Sequence, residues 1–100
     1  MLIHTNILKA ALICASTEHA RFYMCGVHID AEGFVVSTDG HRIFVARIDL
    51  QGEQGGYTIP GDTLKRVLAG NKNTLMEVTP NRVDDLSYKP IDGAYPEWRR

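Results

Sequence analysis

Phe34-Val35-Val36-Ser37-Thr38-Asp39-Gly40-His41-Arg42-Ile43-Phe44-Val45-Ala46-Arg47-Ile48 is the stretch that decides the fold class. β-Branched and aromatic residues crowd both sides of Asp39-Gly40, and such side chains suit a pleated, half-buried surface. An Asp-Gly pair between two runs of this kind signals a two-residue hairpin, because glycine takes positive φ freely. The stretch therefore predicts two antiparallel strands, over 34–38 and 42–48.

Working outward, Ala31-Glu32-Gly33 predicts a tight turn, and 21–29 a strand ahead of it. In that strand Phe22, Met24 and Gly26 alternate with Tyr23, Cys25 and Val27. Both sets are rather apolar, so both faces are expected to be covered. Residues 5–16 predict a helix that Thr5 or Asn6 can cap. Ile7, Leu8, Ala11, Leu12 and Ala15 recur at helical spacing, with Asn6, Lys9, Ile13 and Ser16 opposite. Ile13 is out of place on a solvated face.

After the polar, glycine-rich stretch 49–56, residues 57–59 predict a short strand. Pro60 opens a second helix to about Ala69, with Leu64, Val67 and Leu68 as its apolar stripe and Gly70 as its stop. Residues 74–79 predict another strand, Pro80-Asn81 a turn, 86–91 an extended segment and Asp92-Gly93 a further turn. The order is helix, strands, helix, strands. That order points to one α+β domain over 1–100, with two helices packed on antiparallel sheets as a pseudo-repeat.

A chain of 100 residues has room for one core. Its 44% hydrophobic and 23% charged residues place it with soluble globular proteins rather than disordered ones. No apolar run is long enough to span a bilayer, and the N-terminus lacks the pattern of a secretory signal. No membrane partner is expected. Cys14 and Cys25 make no disulfide framework and fit two thiols in a reducing cytoplasm. A net charge of −1 leaves no global basic excess for duplex DNA, so any DNA contact must be local or shared among copies.

Catalytic and cofactor chemistry finds no support. His4, His19, His28 and His41 with Cys14 and Cys25 lack paired zinc-ligand spacing. Asp39 and His41 have no serine in an elbow motif beside them. Gly52, Gly55 and Gly56 are not followed by the Gly-Lys-Ser/Thr of a phosphate loop. Asp84-Asp85 fits a solvated acidic turn. The chain is expected to be non-enzymatic, with no metal and no cofactor.

Three stretches, in this order, resemble the bacterial DNA sliding clamp family, the ring-shaped β subunit of the replicative DNA polymerase. They are Arg21-Phe22-Tyr23-Met24-Cys25-Gly26-Val27, then Ser37-Thr38-Asp39-Gly40-His41-Arg42-Ile43, then Ile91-Asp92-Gly93-Ala94-Tyr95-Pro96-Glu97-Trp98-Arg99-Arg100. The similarity covers essentially the whole chain and matches the middle of the three similar domains of a clamp subunit. The stretch from Thr79 to Tyr88 is shorter than in the family, which implies a lost or reduced strand.

The resemblance implies a hydrophobic cleft for short peptide motifs of DNA polymerases and other clamp-binding proteins. It would be formed by Met24, Thr38, Gly40, His41, Arg42, Ile43, Pro96 and Arg100. The residue types suit that role. Met24, Ile43 and Pro96 can line an apolar pocket, Gly40 admits a close backbone, and Arg42 and Arg100 can bond a carbonyl or carboxylate. The plainer reading of 38–43 is a hairpin whose Asp39 bonds its own turn.

The resemblance also implies DNA contact. Arg21, Phe22 and Tyr23 would meet phosphate and unpaired bases, and Lys9, Lys65 and Arg66 would lie on the helices facing duplex DNA. Against this stands the reading of Phe22 and Tyr23 as core aromatics. The resemblance leaves two working forms: a homo-oligomeric ring joined through open strand edges, or a monomeric or dimeric adaptor of the kind a phage carries. A structural oligomerisation protein that kept the fold without the binding is the alternative.

Overall fold

The computed structural model describes residues 1–15, 24–92 and 94–98. Its elements run β1 Leu2–His4, α1 Thr5–Cys14, β2 Gly26–Asp30, β3 Phe34–Thr38, β4 Ile43–Arg47, β5 Tyr57–Pro60, α2 Gly61–Leu68, β6 Leu75–Thr79, β7 Arg82–Val83 and β8 Leu86–Ser87. The expected pseudo-repeat is present and is more regular than expected. Each half reads strand, helix and three-strand meander.

The leading strand of each half joins the meander of the other. The first sheet has the order β1-β6-β7-β8 and the second β4-β3-β2-β5. Leu2, Ile3 and His4 of β1 pair with Glu77, Met76 and Leu75 of β6. Gly26, Val27, His28 and Ile29 of β2 pair with Pro60, Ile59, Thr58 and Tyr57 of β5. This exchange of leading strands ties both halves into one α+β unit.

One core runs through both halves. Ile3, Leu8, Val27, Ile29, Val35, Ile59, Leu64, Met76, Val78 and Val83 are almost fully buried in it. Helix α1 packs on β3, on β4 and on α2. The α1 pattern holds, with Leu8 and Ala11 buried and Asn6, Lys9 and Ile13 exposed. In α2 Leu64 and Leu68 are buried, and Gly70 at φ +69 closes the helix as expected.

The structure corrects several expectations. Neither Thr5 nor Asn6 caps α1. His4 holds that position without a side-chain bond, and the Thr5 hydroxyl donates to the carbonyls of Asn73 and Thr74 instead. It ties the helix start to the residues that lead into β6, the partner of β1. Pro60 ends β5 and flanks α2 rather than beginning it.

The described part of the strand expected over 21–29 begins only at Gly26, and residues 16–23 lie outside the described residues. The Asp39-Gly40 hairpin has a four-residue loop, because Thr38 pairs with Ile43 and β4 starts one residue late. Within the stretch 79–88, β7 and β8 are two residues each.

Candidate functional site

The site is built from the second sheet's outer face. Alternation along β2, β3 and β4 sends Val27, Ile29, Val35 and Phe44 to the core side and His28, Val36, Thr38, Ile43, Val45 and Arg47 to the other. An inward Ser37 interrupts the apolar run. Its hydroxyl donates to the Ala11 carbonyl of α1 at 2.5 Å, so a buried polar group is satisfied and the meander is pinned to the helix.

The hairpin between β3 and β4 is held by its own side chains. The Asp39 carboxylate accepts from the backbone N–H groups of His41 (2.9 Å) and Arg42 (3.1 Å) and from Arg42 Nε (3.0 Å). The Thr38 hydroxyl donates to the Arg42 carbonyl at 2.6 Å and accepts from the Gly40 N–H at 3.1 Å. Gly40 sits at φ +94, a conformation that glycine adopts without strain. The His41 N–H, with the Arg42 guanidinium and N–H beside it, holds the Asp39 carboxyl below the usual aspartate range. The self-bonded turn is therefore present, and it presents a rigid rim.

Arg42 is not a free guanidinium. Beyond Asp39, its Nη2 donates to the Ile13 carbonyl near the end of α1 at 2.9 Å. That bond fastens the hairpin to the helix and leaves Arg42's remaining donors for a ligand. His41, Arg42 and Ile43 are exposed, Ile43 at 48% and its neighbour two residues on, Val45, at 42%. Two exposed apolar side chains thus stand side by side beyond the rim, where a solvated strand face would normally be polar.

The C-terminal segment straps across the same face. The Ile91 N–H donates to the Thr58 carbonyl of β5 at 3.1 Å. The Tyr95 ring then stacks on His28 of β2, with centroids 4.5 Å apart and planes 7° from parallel. Trp98 meets Phe34 of β3 edge-on at 5.4 Å, with Arg47 over the same Phe34 ring at 5.1 Å. Burial pushes the Tyr95 hydroxyl up to about 12, against a smaller opposite pull from the Thr38 backbone. The strap therefore reaches the end of β3, and half-buried Pro96 follows directly on Tyr95.

Of the expected cleft residues, Thr38, Gly40, His41, Arg42 and Ile43 form one hairpin, and Pro96 lies on the strap beside it. Met24 is buried at 7% just before β2, so it offers a ligand little surface. Arg100, like Arg21, Phe22 and Tyr23, lies outside the described residues. Lys9, Lys65 and Arg66 are exposed on α1 and α2.

His28, Val45 and Tyr95 stand on the same face and lie outside the expected cleft set. His28 alternates with Gly26 and Asp30 inside a β-rich run, and that polar alternation was the one available hint.

Among the described residues no group of three or more His, Cys, Asp or Glu side chains could hold a metal ion. No described helix is long and apolar enough to cross a membrane.

No family model matches the chain. The beta sliding clamp of Haemophilus influenzae is 26% identical over 113 aligned positions, which cover 95% of this chain and 30% of that protein. The beta sliding clamp of Salmonella typhimurium is 26% identical over 110 positions with the same coverage. The chain thus spans under a third of the length of the curated relatives it matches.

Among solved structures, the sliding clamp of Bartonella birtlesii, crystallised with griselimycin, superposes with a TM-score of 0.62 at 25% identity over 96% of this chain and 32% of that one. The Bacillus subtilis DNA polymerase sliding clamp superposes at 0.66 with 23% identity, over 97% of this chain and 31% of that one. In sequence and in fold the chain resembles the bacterial β sliding clamps, over a span of about one third of a clamp chain.

Proposed function

We propose that the chain is a non-catalytic, clamp-like accessory module of DNA replication, equivalent to a middle clamp domain. Its hairpin and strap capture a short peptide segment of a DNA polymerase or another clamp-binding protein. The carrying observation is the placement of exposed Ile43 and Val45 on one sheet face beside a rim rigidified by Asp39 and Arg42. An apolar anchor of the peptide would cover Ile43 and Val45, while Arg42's remaining donors bond its main chain or a carboxylate. The fold similarity to clamps supports the same assignment.

The test is fluorescence polarisation with a labelled peptide carrying the apolar-anchored motif of clamp-binding proteins. Binding should be saturable and nearly independent of salt. Ile43→Asp should weaken it at least tenfold while the variant keeps its native circular dichroism, because Ile43 is half exposed. Equal affinity in the variant, or no binding at all, sinks the proposal.

A second reading, local duplex contact, is favoured by the exposure of Lys9, Lys65 and Arg66 on two helices that pack together. Three phosphate contacts per copy give a slope of log affinity against log salt of about −3. A steeper slope or a flat one would contradict that count.

A further inference from the structure

The two sheets have four edges, and the edges are unequal. At β1 the Gln51 side chain clasps Leu2, accepting from its N–H at 3.2 Å and donating to its carbonyl at 3.3 Å. Gln51 holds φ +56 there, away from the usual range of a non-glycine residue. At β5 the Ile91 N–H occupies the outward Thr58 carbonyl. At β8 only Leu86 and Ser87 are strand.

The fourth edge, β4, is a full five-residue strand. The Ile48 N–H donates to the Gly33 carbonyl, so by alternation Phe44 and Ala46 turn their backbone groups toward β3. Ile43, Val45 and Arg47 turn theirs outward, and among the described residues nothing bonds to them. An open strand edge with apolar side chains is a template for another strand.

A head-to-tail ring needs two complementary edges on each copy. Here one edge is long and open, one is two residues long and two are fastened by the chain itself. The edge that matches β4 in length and exposure is another β4.

We propose that two copies of the chain pair β4 to β4 in antiparallel register about a two-fold axis at Val45. Val45 then faces Val45 of the partner subunit, and each pair exchanges both N–H···O bonds. Ile43 faces Arg47 of the partner subunit, so like charges never meet and the partner contributes a cation at the mouth of the candidate cleft. The second sheets of the two copies fuse into one continuous sheet. The two Ile43 positions end about 14 Å apart, four residues along an antiparallel strand. So small a contact lies well below the area of a stable interface, about 1,200 Å², and the dimer forms at high micromolar concentration rather than nanomolar.

Light scattering of the full chain from about 10 μM to 1 mM tests this, alongside the single variants Val45→Lys and Val45→Glu. Val45 is 42% exposed, so both variants keep the fold, checked by circular dichroism. The wild type should rise to twice the monomer mass. Each variant alone should stay monomeric, because like charges face each other at the axis. An equimolar mixture of the two should dimerise again.

A wild type that stays monomeric to 1 mM, or variants that dimerise alone, overturns the proposal. So does a mixture that stays monomeric, or a mass that climbs through trimer and beyond. None of these outcomes depends on peptide binding.

Discussion

Replacing Tyr95 with alanine should release the strap without unfolding the domain. The Tyr95 ring covers His28 in a parallel stack and is half-buried, with its hydroxyl near the Thr38 backbone. Truncating a fully buried aromatic ring costs about 3–5 kcal/mol. A half-buried ring loses roughly half of that, about 2 kcal/mol, of which about 1 kcal/mol is the stacked pair. A domain of this size has about 5–15 kcal/mol to lose, so the variant stays folded.

The protein carries its own reporter, since the one tryptophan, Trp98, sits on the strap against Phe34. With a urea m-value of about 1.5 kcal/mol per molar, the midpoint should fall by about 1.3 M. Trp98 emission should shift to the red before any denaturant is added, while circular dichroism stays native. A double-mutant cycle with His28→Ala should return a coupling of about 1 kcal/mol. A wild-type midpoint together with wild-type emission in Tyr95→Ala would refute the strap's role.

Three further outcomes follow from single contacts. Gly26→Ala should cost about 3 kcal/mol in urea unfolding, because a new Cβ would run into the Ile59 carbonyl oxygen and the Ile91 side chain on an inner strand that cannot shift. Tyr88→Phe removes a 2.6 Å bond to the Thr79 carbonyl and should lower stability by about 1 kcal/mol, or the thermal midpoint by about 5 °C. The hairpin should resist acid. The Asp39 carboxyl is depressed from its ordinary 3.8, so its contribution is present above that value and disappears as pH falls through the lower folded value. The amide resonance of Arg42, whose N–H the Asp39 carboxylate accepts, should move only once pH falls below that ordinary value.

The meander was legible in the sequence because its strands are adjacent in the chain and rich in β-branched residues. The α2 stripe of Leu64 and Leu68 was legible for the same local reason. The exchange of leading strands was not. β1 is three residues long, too short to show alternation, and its partner β6 lies some seventy residues away. The turn misled in a specific way. Asp39-Gly40 reads as a two-residue connection, yet the Asp39 carboxylate bonds both His41 and Arg42 and so organises a wider loop.

The site divides along the same line. Its hairpin residues are contiguous and could be named from the motif. The His28–Tyr95 stack joins residues 67 positions apart that no local pattern links. Fastening of the β1 and β5 edges by Gln51 and Ile91 likewise depends on tertiary placement. Arg42 shows how a motif residue can be partly committed elsewhere, here to Asp39 and to the Ile13 carbonyl.

The most direct test of the central claim is a nitrogen–proton correlation map of the labelled protein titrated with the clamp-binding peptide. Peptide capture by the hairpin predicts saturating shifts confined to residues 38–45 and to the strap around Tyr95 and Trp98. Shifts centred instead on the exposed faces of α1 and α2, or none at millimolar peptide, would contradict it.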